Sequence, residues 1–466
     1  MFKLIILIQL FLSFWITSIL GGENKKPNII VIMADDLGYQ DVGFNGCKDI
    51  PTPNIDSIAN NGVRFTSAYV SYSVCAPSRA GFITGRYQQR FGFERNPQYK
   101  PNDPNMGLTK NEMTIPESLK TVGYTSGIIG KWHLGAHNNH HPLERGFDEF
   151  FGHRGGGHKY FCEKLTIAGA ENAKSEADSY NTLIERQTKP VKTTGYLTDV
   201  FSQEAVDFVE RHKKKPFFLF LSYNAPHGPL QATKKYLDRF SKIKDKKRRT
   251  YAAMVSAVDD GVGHVLDALD KNNLAQETII FFLSDNGGPE KHNASNNGNL
   301  RGGKSDVWEG GFRVPFAFRW TGHVKPTVYH KPVSSLDIFA TIAKVSNGKT
   351  NPDKPLDGVN LIPYVTGIKK GVPHEVIYLR KYDQSRFAVR QNDLKIVIPG
   401  KDENPQLYNL KTDISETQDI ASKQPKDVVR IDSLRKAWAG ELVEPTFLGL
   451  MHARGKSKSK KKEKKK

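Results

Sequence analysis

Residues Pro27-Asn28-Ile29-Ile30-Val31-Ile32-Met33-Ala34-Asp35-Asp36-Leu37-Gly38 decide how this chain folds. From Pro27 to Ala34 the run is apolar and β-branched over the length of one strand. A half-exposed strand alternates in polarity, whereas a continuous apolar run suits a strand buried on both faces of a largely parallel sheet. The run stops abruptly at two carboxylates. Three further runs follow the same plan. Thr125 to Ile129 ends in Gly130-Lys131-Trp132-His133-Leu134-Gly135, and Pro216 to Tyr223 ends in Asn224-Ala225-Pro226-His227. Thr278 to Leu283 ends in Ser284-Asp285-Asn286-Gly287-Gly288. Open α/β sheets bind ligands beyond the carboxyl ends of their strands, so these four loops are expected to meet in one cleft.

Helical spacing over Asn54 to Asn61, Leu197 to Arg211 and Lys234 to Leu269 alternates with these strands, and Val63 to Tyr69 reads as another strand. The pattern predicts an α/β fold: a large mixed, mostly parallel sheet sandwiched by helices. From about Gly371 the texture changes to short alternating strands at Val376 to Arg380, Arg386 to Arg390, Leu394 to Ile398 and Gln406 to Leu410. A helix from Lys426 to Leu442 follows, which predicts a smaller C-terminal antiparallel-sheet α+β domain. The expected division is a catalytic domain over 23–370 and a small domain over 371–452. The polar stretch from Ala170 to Thr194 is either a substrate-binding insertion or a mobile surface segment.

The ends of the chain differ from its body. Met1-Phe2-Lys3 precedes an apolar run from Leu4 to Leu20, and Gly21-Gly22-Glu23 then turns polar. That order is expected of a signal peptide over 1–22, giving a periplasmic or secreted protein without stable membrane insertion; the alternative is a retained anchor. Three cysteines are an odd number for an exported chain, and a modified Cys75 leaves Cys47 and Cys162 free to pair. Of the net charge of +19, seven lie between Lys456 and Lys466, within a tail over 453–466 expected to be disordered and solvated. The remaining charge suits polyanionic substrates. Export and the absence of a nucleic-acid motif argue against nucleic acid as a partner.

The chemistry centres on Cys75-Ala76-Pro77-Ser78-Arg79-Ala80-Gly81-Phe82-Ile83-Thr84-Gly85-Arg86. Proline suits the first turn of a helix, whose free N–H groups and dipole favour anions. Arg79 lies one helical turn beyond Cys75. Lys131 and His133 alternate on an extended segment, which would place both on one side. Asp35 and Asp36 either cap a turn or join Asp285 and Asn286 as hard oxygen donors for Ca²⁺ or Mg²⁺.

The twelve residues match C-x-P-S-R-x-x-x-x-T-G-R at every fixed position, and Gly130 to Gly135 reads G-K-W-H-L-G. The chain thus resembles the type I, formylglycine-dependent sulfatases of the alkaline phosphatase superfamily. The resemblance implies that a formylglycine-generating or anaerobic sulfatase-maturating enzyme oxidises Cys75 to formylglycine (3-oxoalanine), whose hydrate attacks sulfur. It implies a metal site of Asp35, Asp36, Cys75, Asp285 and Asn286, with Ca²⁺ favoured over Mg²⁺. Arg79 would stabilise the hydrated aldehyde, Lys131 bind sulfate and His133 support proton transfers. His227 and Lys304 would flank the leaving oxygen, with His227 the better general acid. The implied substrate is a sulfated carbohydrate, with ulvan, carrageenan and glycosaminoglycan fragments as candidates. Some family members carry a serine near Gly155-Gly156-Gly157-His158, and none stands between Gly152 and Phe161 here. His158 is read as a sugar contact or a surface residue; Glu309 and Arg313 are expected to shape the cleft. A phosphonate or phosphodiester hydrolase and a non-catalytic polyanion-binding protein are the alternatives.

Overall fold

Strand β1 (Asn28–Ala34) lies in the middle of a ten-stranded sheet with all seven residues buried. Ile29, Val31 and Met33 enter one apolar layer, and Ile30, Ile32 and Ala34 enter the other. This two-sided burial is why the run does not alternate. The computed structural model describes residues 26–452, so the N-terminal apolar run and the Lys-rich tail lie outside the described residues.

The other strands of the first half are β2 (Val63–Phe65), β3 (Ala68–Tyr69), β4 (Thr125–Lys131), β5 (Glu149–His153), β6 (Ile184–Arg186) and β7 (Lys189–Val191). They are followed by β8 (Phe217–Ser222), β9 (Thr278–Ser284), β10 (Phe316–Trp320), β11 (Thr327–Tyr329) and β12 (Val333–Ser334). The large sheet runs β11-β2-β10-β9-β1-β8-β4-β5-β6-β7. Its central strands β9, β1, β8, β4 and β5 are mutually parallel, while β10 and β6 pair antiparallel on the flanks. The large sheet is therefore mixed but parallel at its centre, as the apolar runs predict.

Helices α1 (Pro53–Asn60), α2 (Cys75–Thr84), α3 (Ile115–Lys120), α4 (Leu197–His212), α5 (Lys234–Arg239), α6 (Lys246–Lys271) and α7 (Asp337–Ser346) cover the two faces. Apolar residues of α1, α4 and α6 pack on one face, and those of α2, α3 and α7 pack on the other. Two expected elements divide. Val63 to Tyr69 becomes β2 in the large sheet and β3, which pairs with β12 in a separate ribbon. The single helix expected from Lys234 to Leu269 breaks because Asp245 caps a new N-terminus, accepting from the Arg248 N–H at 2.6 Å. The stretch from Ala170 to Thr194 contains a short helix, Glu176–Ser179, and the β6–β7 hairpin. Cys47 and Cys162 are unpaired.

A four-stranded antiparallel meander, β13 (Val376–Lys381), β14 (Arg386–Gln391), β15 (Leu394–Ile398) and β16 (Gln406–Asn409), forms the small sheet. Val389, Ile396 and Leu407 pack on Ile431 of helix α8 (Pro425–Ala439). Ile377, Leu379, Ala388 and Val397 pack on Tyr69, Val70, Phe312 and Val314. Lys395 is fully buried in this layer, 3.0 Å from Glu309 and 2.7 Å from Glu416. Glu309 also accepts from the Tyr69 hydroxyl at 2.6 Å, and Arg313 donates to the Thr66 carbonyl. Glu309 thus ties the β3 ribbon to the small sheet, Arg313 braces it at 3.3 Å, and neither lines the cleft, correcting the expectation from sequence.

Replacing Lys395 with Ala would leave Glu416 buried without its cation and Glu309 paired, among the described residues, with Arg313 alone. Chemical denaturation should show a loss of about 3–5 kcal/mol. His374 Nε2 lies 2.7 Å from Asp337 Oδ1. Burial lowers its proton affinity, but the Asp337 carboxylate outweighs this and raises its pKa above the usual value. The resulting stabilisation is full below the unfolded-state pKa and disappears as pH rises through the folded one. His374→Asn should therefore cost about 1–3 kcal/mol at pH 6, and the Tm deficit should shrink by pH 9.

Candidate active site

Ala34 and Ser284 are register partners on β1 and β9, so Asp35 and Asp285 emerge side by side. The Asp285 N–H donates to the Ala34 carbonyl at 3.0 Å, and the Asp36 N–H donates to Asp285 Oδ1 at 3.2 Å. Lys131 ends β4, and its Nζ lies 2.6 Å from Asp35 Oδ2 with both side chains fully buried. Before it, Gly130 has φ +109°, and a Cβ there would sit 2.0 Å from the Ser222 carbonyl oxygen. Only glycine fits that turn between three close strands.

Helix α2 brings its first residue, Cys75, to this cluster with Sγ 3.5 Å from Asp35 Oδ1. One turn on, Arg79 donates from Nε to Asp285 at 2.9 Å and from Nη1 to Ser222 Oγ at 2.6 Å, leaving buried Nη2 without a partner. Lys304 Nζ bridges Asp36 Oδ1 at 2.6 Å and Cys75 Sγ at 3.0 Å. His227 Nε2 lies 3.7 Å from Asp36 Oδ2, and its Nδ1–H donates to the Gly228 carbonyl at 2.7 Å. Proton exchange at the cleft is therefore left to Nε2. His133 also faces the cleft, but it has left the strand with φ +61°, so strand alternation is not what places it beside Lys131. Asp36 and Ser305 are likewise left-handed, at +65° and +76°. Such non-glycine conformations cluster where the surroundings enforce them.

Carboxylate oxygens of Asp35, Asp36 and Asp285 and the Cys75 sulfur all lie within 4.8 Å of one another. Asn286 donates from Nδ2 to Asp36 at 2.7 Å, while its buried Oδ1 has no partner. Three carboxylates and an unsatisfied amide oxygen form a hard donor set that fits a divalent cation. Burial and the neighbouring Asp35 push the Asp285 carboxyl up to about 6. Burial acts the same way on Asp36, but Lys304 and His227 outweigh it and hold that carboxyl below its usual range. Burial pushes the Cys75 thiol up to about 12 despite Lys131 and Lys304 nearby. It pulls His227 down to about 4 against the opposing pull of Asp36, and it carries His133 well below the usual imidazole value. Burial also works against charge on Lys304, but Asp36 prevails and keeps the ammonium strongly protonated.

Residues 27–348 match the sulfatase family profile, and N-acetylgalactosamine-6-sulfatase of Mus musculus is 34% identical over 396 residues, 82% of this chain and 72% of that protein. The chain belongs to the sulfatase family. This sulfatase is also 33% identical over 429 residues to arylsulfatase H of Homo sapiens, covering 76% of this chain and 75% of the relative. The crystal structure of Ps i-CgsB in complex with k-i-k-neocarrahexaose is similar to it with a TM-score of 0.85 and 41% identity, over 91% of this chain and 95% of that one. Family membership makes the protein a sulfuric ester hydrolase, and the non-catalytic reading falls away.

The sulfatase cleft has a volume of about 700 Å³ and reaches from Cys75, His133, His227 and Lys304 to groups that sequence analysis did not single out. Glu94, Arg95 and Asn96 follow α2, Glu176 and Tyr180 come from the polar stretch, and Lys381 and Asp383 come from the small sheet. Residues 449–452 also line it. The Leu450 N–H donates to the Asn96 carbonyl, and Arg95 holds the Phe447 carbonyl at 2.8 Å. No local pattern marks these residues, because tertiary packing brings them together. His158 fits neither expectation: it is fully buried, with its ring nitrogens 2.9 Å from the Lys159 and Thr182 carbonyls. Gly156 stands close to His133, where a Cβ would lie 2.6 Å from Nε2. Among the described residues, no helix is long and apolar enough to cross a membrane.

A divalent cation held by this donor set should raise Tm in a concentration-dependent way, by about 2.7 kcal/mol of stability at one hundred times Kd. Thermal melts with added Ca²⁺ should show the shift in the parent and lose most of it in Asp285→Asn. An equal shift in both proteins would remove Asp285 from the site.

Proposed function

We propose that this sulfatase is exported and hydrolyses sulfate esters of carrageenan-type oligosaccharides, with Cys75 as the precursor of its nucleophile. The observation carrying this reading is the convergence of Cys75 with three carboxylates, Lys131, Lys304 and two histidines in one cleft. The 41% identity to Ps i-CgsB, crystallised with k-i-k-neocarrahexaose, supports the choice of glycan. The signal-like N-terminus supports export. The separate small sheet supports a division into a catalytic domain over 23–370 and a small domain over 371–452.

In the proposed active form, Cys75 is formylglycine made by a separate maturation enzyme. Its hydrate supplies the hydroxyl that attacks sulfur and, by collapsing back to the aldehyde, releases sulfate. Ca²⁺ is the proposed ion, held by Asp35, Asp36, Asp285 and Asn286, because its looser geometry suits a crowded carboxylate set. Bound there, it supplies Lewis acidity towards a sulfuryl oxygen. Lys131 and Lys304 bind sulfate oxygens, and Arg79, whose buried Nη2 has no protein partner, is left to stabilise the hydrated aldehyde. Together they are oriented before reaction, so charge developing on the sulfuryl group meets fixed partners. His133 accepts the proton of the attacking hydroxyl, and His227 Nε2, whose low proton affinity in the empty cleft rises beside the anionic sulfate ester, delivers a proton to the departing alcohol. Lys304, kept strongly protonated by Asp36, is the weaker acid of the two.

Protein co-produced with a maturation enzyme should release sulfate from sulfated neocarrabiose faster than it cleaves phosphate or phosphonate esters. Cys75→Ala should lower kcat about 10⁴-fold or more, and His227→Ala about 10²–10⁴-fold. Peptide mass mapping should find the aldehyde at position 75. Full turnover with the thiol intact, or faster cleavage of the phosphorus esters, would overturn the proposal.

A further inference from the structure

We infer that Lys381 forms a second anion subsite, which binds another anionic substituent of the same oligosaccharide whose sulfate reaches Cys75. The inference rests on the carbohydrate-sulfatase reading and extends it to substrate selection.

Lys381 ends β13 and lines the cleft that contains Cys75 and Lys304. It is only 5% exposed. The charges around it are matched in pairs: Arg380 with Glu94, Arg95 with Asp383 at 2.7 Å, Arg386 with Asp306 at 3.4 Å and Lys304 with Asp36 at 2.6 Å. Lys381 is the exception. Among the described residues, no carboxylate oxygen lies within 4.0 Å of its Nζ, and its side chain makes no hydrogen bond. Its Nζ lies over the face of Tyr72, 5.3 Å from the ring centre.

An ammonium removed from water without a counter-charge is unfavourable, and folded chains retain one where something else supplies the anion. Burial and Arg386 pull the Lys381 pKa down to about 8, with Lys304 also close enough to repel its proton, and the more distant Asp306 and Asp383 carboxylates offset this only in part. The group is thus mainly charged at neutral pH and sits within electrostatic reach of the reacting end of the cleft. Lys131 and Lys304 already pair directly with Asp35 and Asp36, whereas Lys381 has no direct ion pair among the described residues, and Asp306 and Asp383 act on it only from a distance. Its placement on the small sheet sets it apart from the Cys75 cluster. A ligand carrying two anionic groups could therefore span from one to the other.

The test is calorimetric binding to protein whose Cys75 is unconverted, using three probes: neocarrabiose with one sulfate, neocarrabiose with two, and a monosulfated disaccharide bearing a uronate. The parent should bind at least one of the two-anion probes about tenfold more tightly than the one-anion probe. Whichever probe gains identifies the second group as sulfate or carboxylate. Lys381→Met should abolish the preference while keeping affinity for the one-anion probe, and Lys381→Arg should retain it. No preference in the parent, an unchanged preference in Lys381→Met, or an equal loss for all probes would overturn the subsite. Turnover of the same probes by converted enzyme is measured separately: binding preference without sulfate release would refute the hydrolytic reading and leave the subsite standing.

Discussion

Three carboxylates, Asp35, Asp36 and Asp285, are forced together in a buried place where like charges repel strongly. Adjacent parallel strands set two of them side by side, and a left-handed turn at Asp36 brings in the third. Each then acquires its own cation: Asp285 has Arg79, Asp35 has Lys131, and Asp36 has Lys304. These partners come from helix α2, strand β4 and the loop after β9, so much of the α/β layout can be understood as what holds this arrangement in place. Removing any one partner would leave a buried charge uncompensated, which is why the cluster ties local geometry to the whole fold.

Much of this was legible in the sequence because the relevant signals are local. A strand buried on both faces cannot alternate, so β1, β8 and β9 appear as unbroken apolar runs that end in polar residues. The split of α5 from α6 was not legible, because a basic stretch masks the Asp245 cap. Glu309 was misplaced for another reason. A glutamate five residues after Lys304 in sequence suggests the cleft, whereas its buried partner Lys395 lies on the small sheet. His133 faces the cleft from a left-handed backbone and not through the strand alternation expected from sequence.

The positive charge of the body also has a different meaning once the contacts are known. Within the basic stretch before and into α6, Arg248 is bound to Asp41 and Asp49 at 2.7 and 2.8 Å, and Arg249 donates to the Leu237 carbonyl at 3.1 Å. Arg248 therefore anchors the loop after β1 and is not free to attract polyanions. Net charge overstates the attraction available at the surface, and location within the cleft matters more than the total.

Cys75 is 1% exposed beneath a cleft wall that includes residues 449–452, contributed from far along the chain. During synthesis the cysteine emerges from the ribosome long before that wall does. Any enzyme that alters its side chain must reach it before folding seals it in or wait for the fold to reopen. On the proposed conversion of Cys75, the timing of translation and folding would be part of how this cleft is made.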